Sequence, residues 1–148
     1  MNWLRALCAN PFLLSGLASW FIAQVLKLLI HLAVYKKLEI ERIYGDGGMP
    51  SGHSATVASL ATMCGLSYGL QSVEFAMSTI LAIVVCHDAT GVRWETGQQA
   101  AVLNELLRYF EPGHHTNLKE LVGHTPLQVA AGVLIGITNA LIMYYFVF

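Results

Sequence analysis

Residues 11–35 read PFLLSGLASWFIAQVLKLLIHLAVY. A helix that crosses the hydrocarbon core of a bilayer needs roughly 20 mostly apolar residues. This run is long enough, and Lys27 and His31 are its only ionisable groups. It is too long for a cleavable signal and lacks a basic leader followed by a small-residue cleavage site. Three further runs qualify or nearly do. Gly47 to Val73 holds no Asp, Glu, Lys or Arg, with its helical part expected from about Ser51. Glu74 to about Ala89 is short for a span and apolar until His87 and Asp88. Pro126 to Phe148 is 23 residues without a charge.

The composition agrees. Of 148 residues, 55% are hydrophobic and 11% charged, against about 25% charged in a soluble domain. Mean hydropathy is +0.57. A disordered chain, a coiled coil and an ordinary soluble enzyme are excluded. The expected fold is an all-α membrane protein, multi-pass, with a single domain over 1–148 and about four transmembrane helices in a bundle. A net charge of −1 offers no basic field for nucleic acid. Cys8, Cys64 and Cys86 are odd in number and set in apolar runs, and they read as small buried hydrophobes. Gly65 with Gly69, and Gly132 with Gly136, stand at the spacing that lets helix backbones approach closely in a bilayer.

Two stretches are not spans. Lys36 to Met49 is a polar loop with the cluster Gly45-Asp46-Gly47-Gly48. Thr90 to Thr125 is the largest polar region. Within it Val92, Ala100, Leu103, Leu106, Leu107 and Phe110 recur near helical spacing among charged residues, which predicts an amphipathic surface helix ended by Pro112-Gly113. Lys36, Lys37, Arg42, Arg93, Arg108 and Lys119 all lie in these two loops, and Arg5 lies on the opposite face. The positive-inside rule then puts both loops, and any site they form, on the cytoplasmic face. The rule loses force if those cations bind an anion.

Each loop delivers a histidine to the entrance of a span: Met49-Pro50-Ser51-Gly52-His53-Ser54 and Gly123-His124-Thr125-Pro126. Pro suits a first helical turn and Ser caps one. The free N–H groups of a helix start, with the helix dipole, favour an anion. His53 and His124 therefore stand beside two anion-binding helix starts. Gln24, Lys27 and His31 share one face of the first span. A Lys at membrane depth costs a few kcal/mol unless it faces a partner or a polar cavity, so Lys27 is expected to point into the bundle. Asp88 has three candidate roles: an ion pair with Lys27, an ion pair with Arg93, or orientation of a His. Asp46, Asp88, Glu95 and the His residues could ligate Mg²⁺ or Ca²⁺, but no ligand spacing supports such a site. His114-His115 reads as a solvated loop pair.

Pro50-Ser51-Gly52-His53 resembles the central motif of the PAP2 superfamily, the type 2 phosphatidic acid phosphatases related to vanadium haloperoxidases. Gly123-His124-Thr125-Pro126 through Gly132 resembles its third motif. Together with Gly47-Gly48-Met49-Pro50-Ser51 and Asp88-Ala89-Thr90-Gly91-Val92-Arg93, these blocks resemble more closely the divergent PAP2 family of small membrane proteins, over nearly the whole chain. The resemblance implies a PAP2-like helical core and a phosphatase acting on a lipid phosphate or pyrophosphate through a phosphohistidine, with no cofactor or metal. His124 would be the nucleophile and His53 the general acid. Ser51 and Gly52 would touch the phosphate.

The sequence departs from the superfamily pattern at several points. Its first motif, Lys and Arg-Pro six residues apart, is absent. Lys27 is the in-span candidate for that role, with Lys36, Lys37 and Arg42 as alternatives. The Arg expected six residues before the third-motif His is Leu118, leaving Lys119 or Arg93 to fill the role. The Asp that orients the nucleophile is Gln128, whose amide can fix an imidazole tautomer but cannot offset an imidazolium charge. Either Asp88 or a Glu supplies that charge, or the site is slow. The alternative function is a non-catalytic lipid-phosphate-binding, scaffold or transport protein. Four spans are fewer than the six core helices of the superfamily. The surface helix after Arg93, or a second subunit of a homo-oligomer, would complete the core.

Overall fold

A computed structural model describes residues 3–36, 47–110, 118–120 and 122–148. The readings placed on Lys37, Arg42, Asp46, Pro112, Gly113, His114 and His115 fall outside them. The described residues form six helices and no strand: α1 (Trp3–Cys8), α2 (Pro11–Tyr35), α3 (Gly52–Tyr68), α4 (Val73–Thr90), α5 (Val92–Phe110) and α6 (Pro126–Phe146).

Four of the five long helices, α2, α3, α4 and α6, start where a side chain can take up orphan N–H groups. Asn10 accepts from the amides of Phe12 and Leu13 ahead of α2, Ser51 from Ser54 ahead of α3, and Ser72 from Phe75 ahead of α4. Thr125 and Gln128 form a reciprocal capping box on α6. α3 stops at Gly69, whose φ of 86° suits glycine.

The protein is an integral membrane protein. Three helical stretches are long and apolar enough to cross a bilayer: Pro11–Tyr35, Val73–Phe110 (α4 running into α5) and Pro126–Phe146. α3, expected as a fourth span, has only 17 residues and a mixed Ser/Thr/Ala/Gly composition. It is the central helix and packs against α2, α4 and α6. It runs antiparallel to α2, with Gly16 against Thr56 and Trp20 against Gly52, and parallel to α6, with Gly132 against Ser51 and Gly136 against Ala55. The seam between these helices is polar and small. Ser15 and Ser59 hydroxyls lie 2.7 Å apart, and the Asn139 amide donates to Ser19 Oγ at 2.8 Å and to Ser15 O at 3.1 Å. Large side chains such as Phe21, Leu29, Met77, Ile80, Ile83 and Leu134 are exposed on the outside, where lipid tails replace water. That inversion is expected where packing and interhelical hydrogen bonds, and not apolar burial, hold helices together.

Two sequence readings need correction. Gly69 is not a packing glycine: an added Cβ there would meet nothing within 4 Å, and its role is the turn. Its partner Gly65 does pack, against the Phe75 ring. Of the cysteines only Cys64 is buried; Cys86 is partly covered and Cys8 is exposed. Cys8 ends a six-residue helix, α1, whose described side chains have no bundle to enter.

α5 is amphipathic as expected, but its inward stripe is Gly97, Ala100 and Asn104. This stripe holds the segment that leads into α6. Asn104, 1% exposed, donates to Leu118 O (2.9 Å) and Glu120 Oε1 (2.8 Å) and accepts from Leu118 N (2.8 Å). A Cβ at Gly97 would lie 2.5 Å from Glu120 O. Val102, Leu103, Leu106, Tyr109 and Phe110 stay exposed on the outer side of α5. Replacing Asn104 by Ala strips the Leu118 amide and carbonyl of their partners. A loss of about 1–3 kcal/mol is expected, read as a lower thermal midpoint in detergent. An unchanged midpoint would show that this segment is held by other contacts.

Candidate functional site

The parallel arrangement of α3 and α6 brings two capped helix N-termini side by side. Ser51 N–H donates to Gln128 O at 3.1 Å, and Gly132 lets the Ser51 backbone approach so closely that a Cβ there would lie 2.4 Å from Ser51 O. Both dipoles present their positive ends to the same place. The loop before α6 is positioned from the other side. Gly123 has φ 86°, and a Cβ on it would lie 2.4 Å from the Trp94 amide nitrogen. The His124 amide then donates to Ala89 O, the end of α4, at 2.9 Å.

His124 is 2% exposed. Its Nδ1 lies 3.3 Å from Gln128 Oε1, the same oxygen that accepts the Thr125 amide at 3.1 Å. Gln128 is thus both cap and imidazole partner. Burial pushes the His124 pKa below its ordinary 6.5. The Gln128 hydrogen bond opposes this, the positive charges of Lys27 and His53 add to it, and hydrogen bonding with the Gly48 backbone opposes it. Lys27 and His53 therefore both lie within electrostatic reach of the His124 ring. The proton that leaves His124 early opens a lone pair near neutral pH.

Lys27 is 5% exposed and lies along the Gly48 backbone, where a Cβ would come within 3.5 Å of its Cγ and Cδ. Gly48 has φ 97°. Lys27, His31, Tyr35, Gly48, Met49 and Gln128 are among the residues lining a cavity of about 220 Å³ at this end of the bundle. His31 stacks on Tyr35 with ring centroids 4.6 Å apart. His53, by contrast, is exposed and opens on a separate apolar groove between α2, α3 and α4.

The other candidates divide. Ser51 is fully buried, and its Oγ accepts from Ser54 N and Ser54 Oγ, which makes it a cap. Gly52 is buried against Trp20. Asp88 Oδ2 accepts from Arg93 Nε at 2.6 Å across the Gly91 break, with both side chains about two-fifths exposed (40% and 43%). Of the three roles open to Asp88, the structure gives it the Arg93 pair. Lys119 is exposed on the segment before α6. Arg42 lies outside the described residues. Among the described residues, no three His, Cys, Asp or Glu side chains gather where a metal ion could be held.

Sequence reasoning missed Asn104, Trp20 and the double use of Gln128. The last was readable, since Thr125-Pro126-Leu127-Gln128 has the spacing of a capping box. Asn104 stands seven residues after Gly97 on one helix face, a weaker signal.

The chain matches the divergent PAP2 family over residues 8–139. It is 42% identical to an uncharacterized membrane protein of Bacillus subtilis (strain 168), YuiD, over 95% of this chain and 98% of that protein. No solved structure gives a significant match. With a family match across most of its length and a relative of that identity over nearly its whole sequence, the chain belongs to the divergent PAP2 family.

Proposed function

We propose that this protein is a PAP2-type phosphatase that hydrolyses a lipid phosphate or pyrophosphate at the polar end of the bundle, on the cytoplasmic face. One observation carries the reading: His124 sits at the paired starts of α3 and α6 with Lys27 and His53 both in electrostatic reach. A proton on Nδ1 facing Gln128 Oε1 leaves Nε2 with the lone pair. Nε2 attacks phosphorus, the bond from phosphorus to the leaving oxygen breaks, and His53 gives that oxygen its proton. Water then cleaves the P–N bond, with His53 taking the proton back. Lys27 and the helix N-termini stabilise charge on the phosphoryl oxygens.

The experiment is a phosphate-release screen of the purified protein on phosphatidic acid, phosphatidylglycerophosphate and a polyprenyl pyrophosphate, with and without EDTA. Release that EDTA does not affect supports the reading, and no release from any of the three removes it. The acid side of the pH profile follows from the lowered His124 pKa. Nucleophilic activity needs the neutral ring, so kcat/KM should fall with acid only below pH 6.5. The same shift makes acid destabilising: the unfolded chain takes up the proton first, and the loss begins as pH drops through 6.5 and ends below the folded value. An acid limb above 6.5 would assign the limiting group elsewhere.

A second reading, a phosphate-headgroup binder without turnover, rests on the Asp88–Arg93 pair. With Asp88 engaged there, the partner of His124 is a neutral amide, which cannot offset an imidazolium. Lipid binding that survives His124→Ala, with no phosphohistidine trapped by an alkaline quench, would favour it.

A further inference from the structure

An open, almost wholly apolar groove of about 440 Å³ runs along the outside of the bundle, lined by Leu17 and Trp20 of α2, His53, Thr56 and Val57 of α3, and Val85 of α4. Among the described residues that line it His53 is the one with an ionisable side chain, and that ring lies within electrostatic reach of His124. The α2 residues of the groove share a helix face with the lysine of the site: Leu17, Trp20, Gln24 and Lys27 follow at three- and four-residue steps. From Leu17 to Lys27 the helix rises about 15 Å, or half the hydrocarbon thickness. Between the apolar pair and the lysine sits Gln24, 7% exposed, whose Oε1 has no hydrogen-bond partner among the described residues. Its amide packs towards Gly52 and marks the step from apolar to polar along this helix face.

We infer that this groove holds the hydrocarbon chain of the phosphate-bearing lipid whose headgroup reaches His53 and His124, with Trp20 as the residue that selects for the chain. The inference rests on the phosphate site proposed above and adds the recognition of the tail. The polarity order along α2 matches an amphiphile lying parallel to the helix, tail at Leu17 and Trp20, phosphate at Lys27. The apolar side chains of a second copy seated in the same groove would offer nothing to His53 at its polar end.

The test separates occupancy from turnover. Trp3 and Trp94 are 66% and 39% exposed, and their replacement by Phe leaves Trp20 as the sole tryptophan. That protein goes into phosphatidylcholine nanodiscs, and Trp20 fluorescence is titrated with phosphatidic acid brominated on its chain, then with phosphatidylcholine brominated at the same carbons. Half-quenching is expected at about tenfold lower mole fraction of the phosphatidic acid, which corresponds to about 1.4 kcal/mol of preference. A parallel arm compares hydrolysis of long-chain phosphatidic acid with a short, water-soluble phosphate monoester in Val57→Phe and Val85→Phe. Narrowing the groove should lower the long-chain rate several-fold and leave the short-chain rate alone. Preferential quenching without hydrolysis of any substrate keeps the tail site and removes the phosphatase. Equal quenching by the two lipids with hydrolysis intact overturns the tail site and keeps the phosphatase. Equal quenching with no hydrolysis overturns both.

Discussion

His124→Ala is expected to lower phosphate release by about 10³-fold or more, the scale seen when the nucleophile of a catalytic unit is deleted. The fold should survive the change. The His124 amide bond to Ala89 O is backbone and persists, and Gln128 Oε1 keeps the Thr125 amide as its donor. The lost contacts are those of one imidazole with Gln128 and the Gly48 backbone. Helix content and thermal midpoint in detergent should therefore stay close to those of the parent, while turnover disappears. The distinctive reading is the intermediate. A labelled phosphate trapped by alkaline quench should be present in the parent and absent in His124→Ala. It should accumulate in His53→Ala if leaving-group protonation is bypassed with an activated substrate, because the second step then lacks its base. A His124→Ala protein that releases phosphate at the parental rate would end the proposed mechanism.

The electrostatics around this histidine argue for a neutral imidazole that is ready but weakly supported. Burial and the Lys27 and His53 charges remove its proton early. The Gln128 amide can hold the ring in place and does not stabilise the cation it becomes. Gln128 has a reason to be there apart from the reaction. A capping box needs a Glu or Gln at its third helical position, and Gln128 fills it while its backbone carbonyl accepts from the Ser51 N–H. One side chain thus meets a folding requirement and an orienting one.

Much of this architecture was readable from residues alone. α2 and α6 follow from apolar length. The caps at Ser51 and Thr125, and the arrival of both histidines at one end, follow from Pro/Ser/Gly signals at two helix starts. Three features were not readable, each for a physical reason. Asp88 chose Arg93 because the chain turns at Gly91 and brings positions five apart together, which a straight helix would not. That α3 is the hub reflects its Ser, Ala and Gly positions, where the other helices come closest, a packing fact with no strong hydropathy signal. The two small-residue pairs look alike in sequence, yet Gly69 closes a turn while Gly132 and Gly136 touch backbone.

Gly136→Val is expected to be the most destabilising single substitution outside the site. A Cβ at Gly136 would lie 2.2 Å from Ala55 O and 2.9 Å from Ser59 N. Both are main-chain atoms within α3, so no side chain can rotate to make room. α6 must retreat from α3. Ala55 and Ala140, both fully buried, then lose their cover, and the Asn139 bonds to Ser15 and Ser19 weaken as well. Overpacking a well-fitted core costs about 1–3 kcal/mol, and a backbone clash belongs at or beyond the upper end. The matching control is Gly16→Ala, on α2 where it meets the same central helix. There the new methyl would meet Thr56 Cγ2 at 3.5 Å, an ordinary contact, and an effect within about 0.5 kcal/mol is expected. Unfolding in increasing SDS, followed by helical circular dichroism, separates the two. The retreat also pulls Gln128 from Ser51, because the Ser51 N–H to Gln128 O bond spans the same interface one turn above Gly132. Any Gly136→Val protein that does fold should therefore lose phosphate release along with stability. A variant that unfolds at the parental SDS concentration would mean α3 and α6 are not in backbone contact at these glycines.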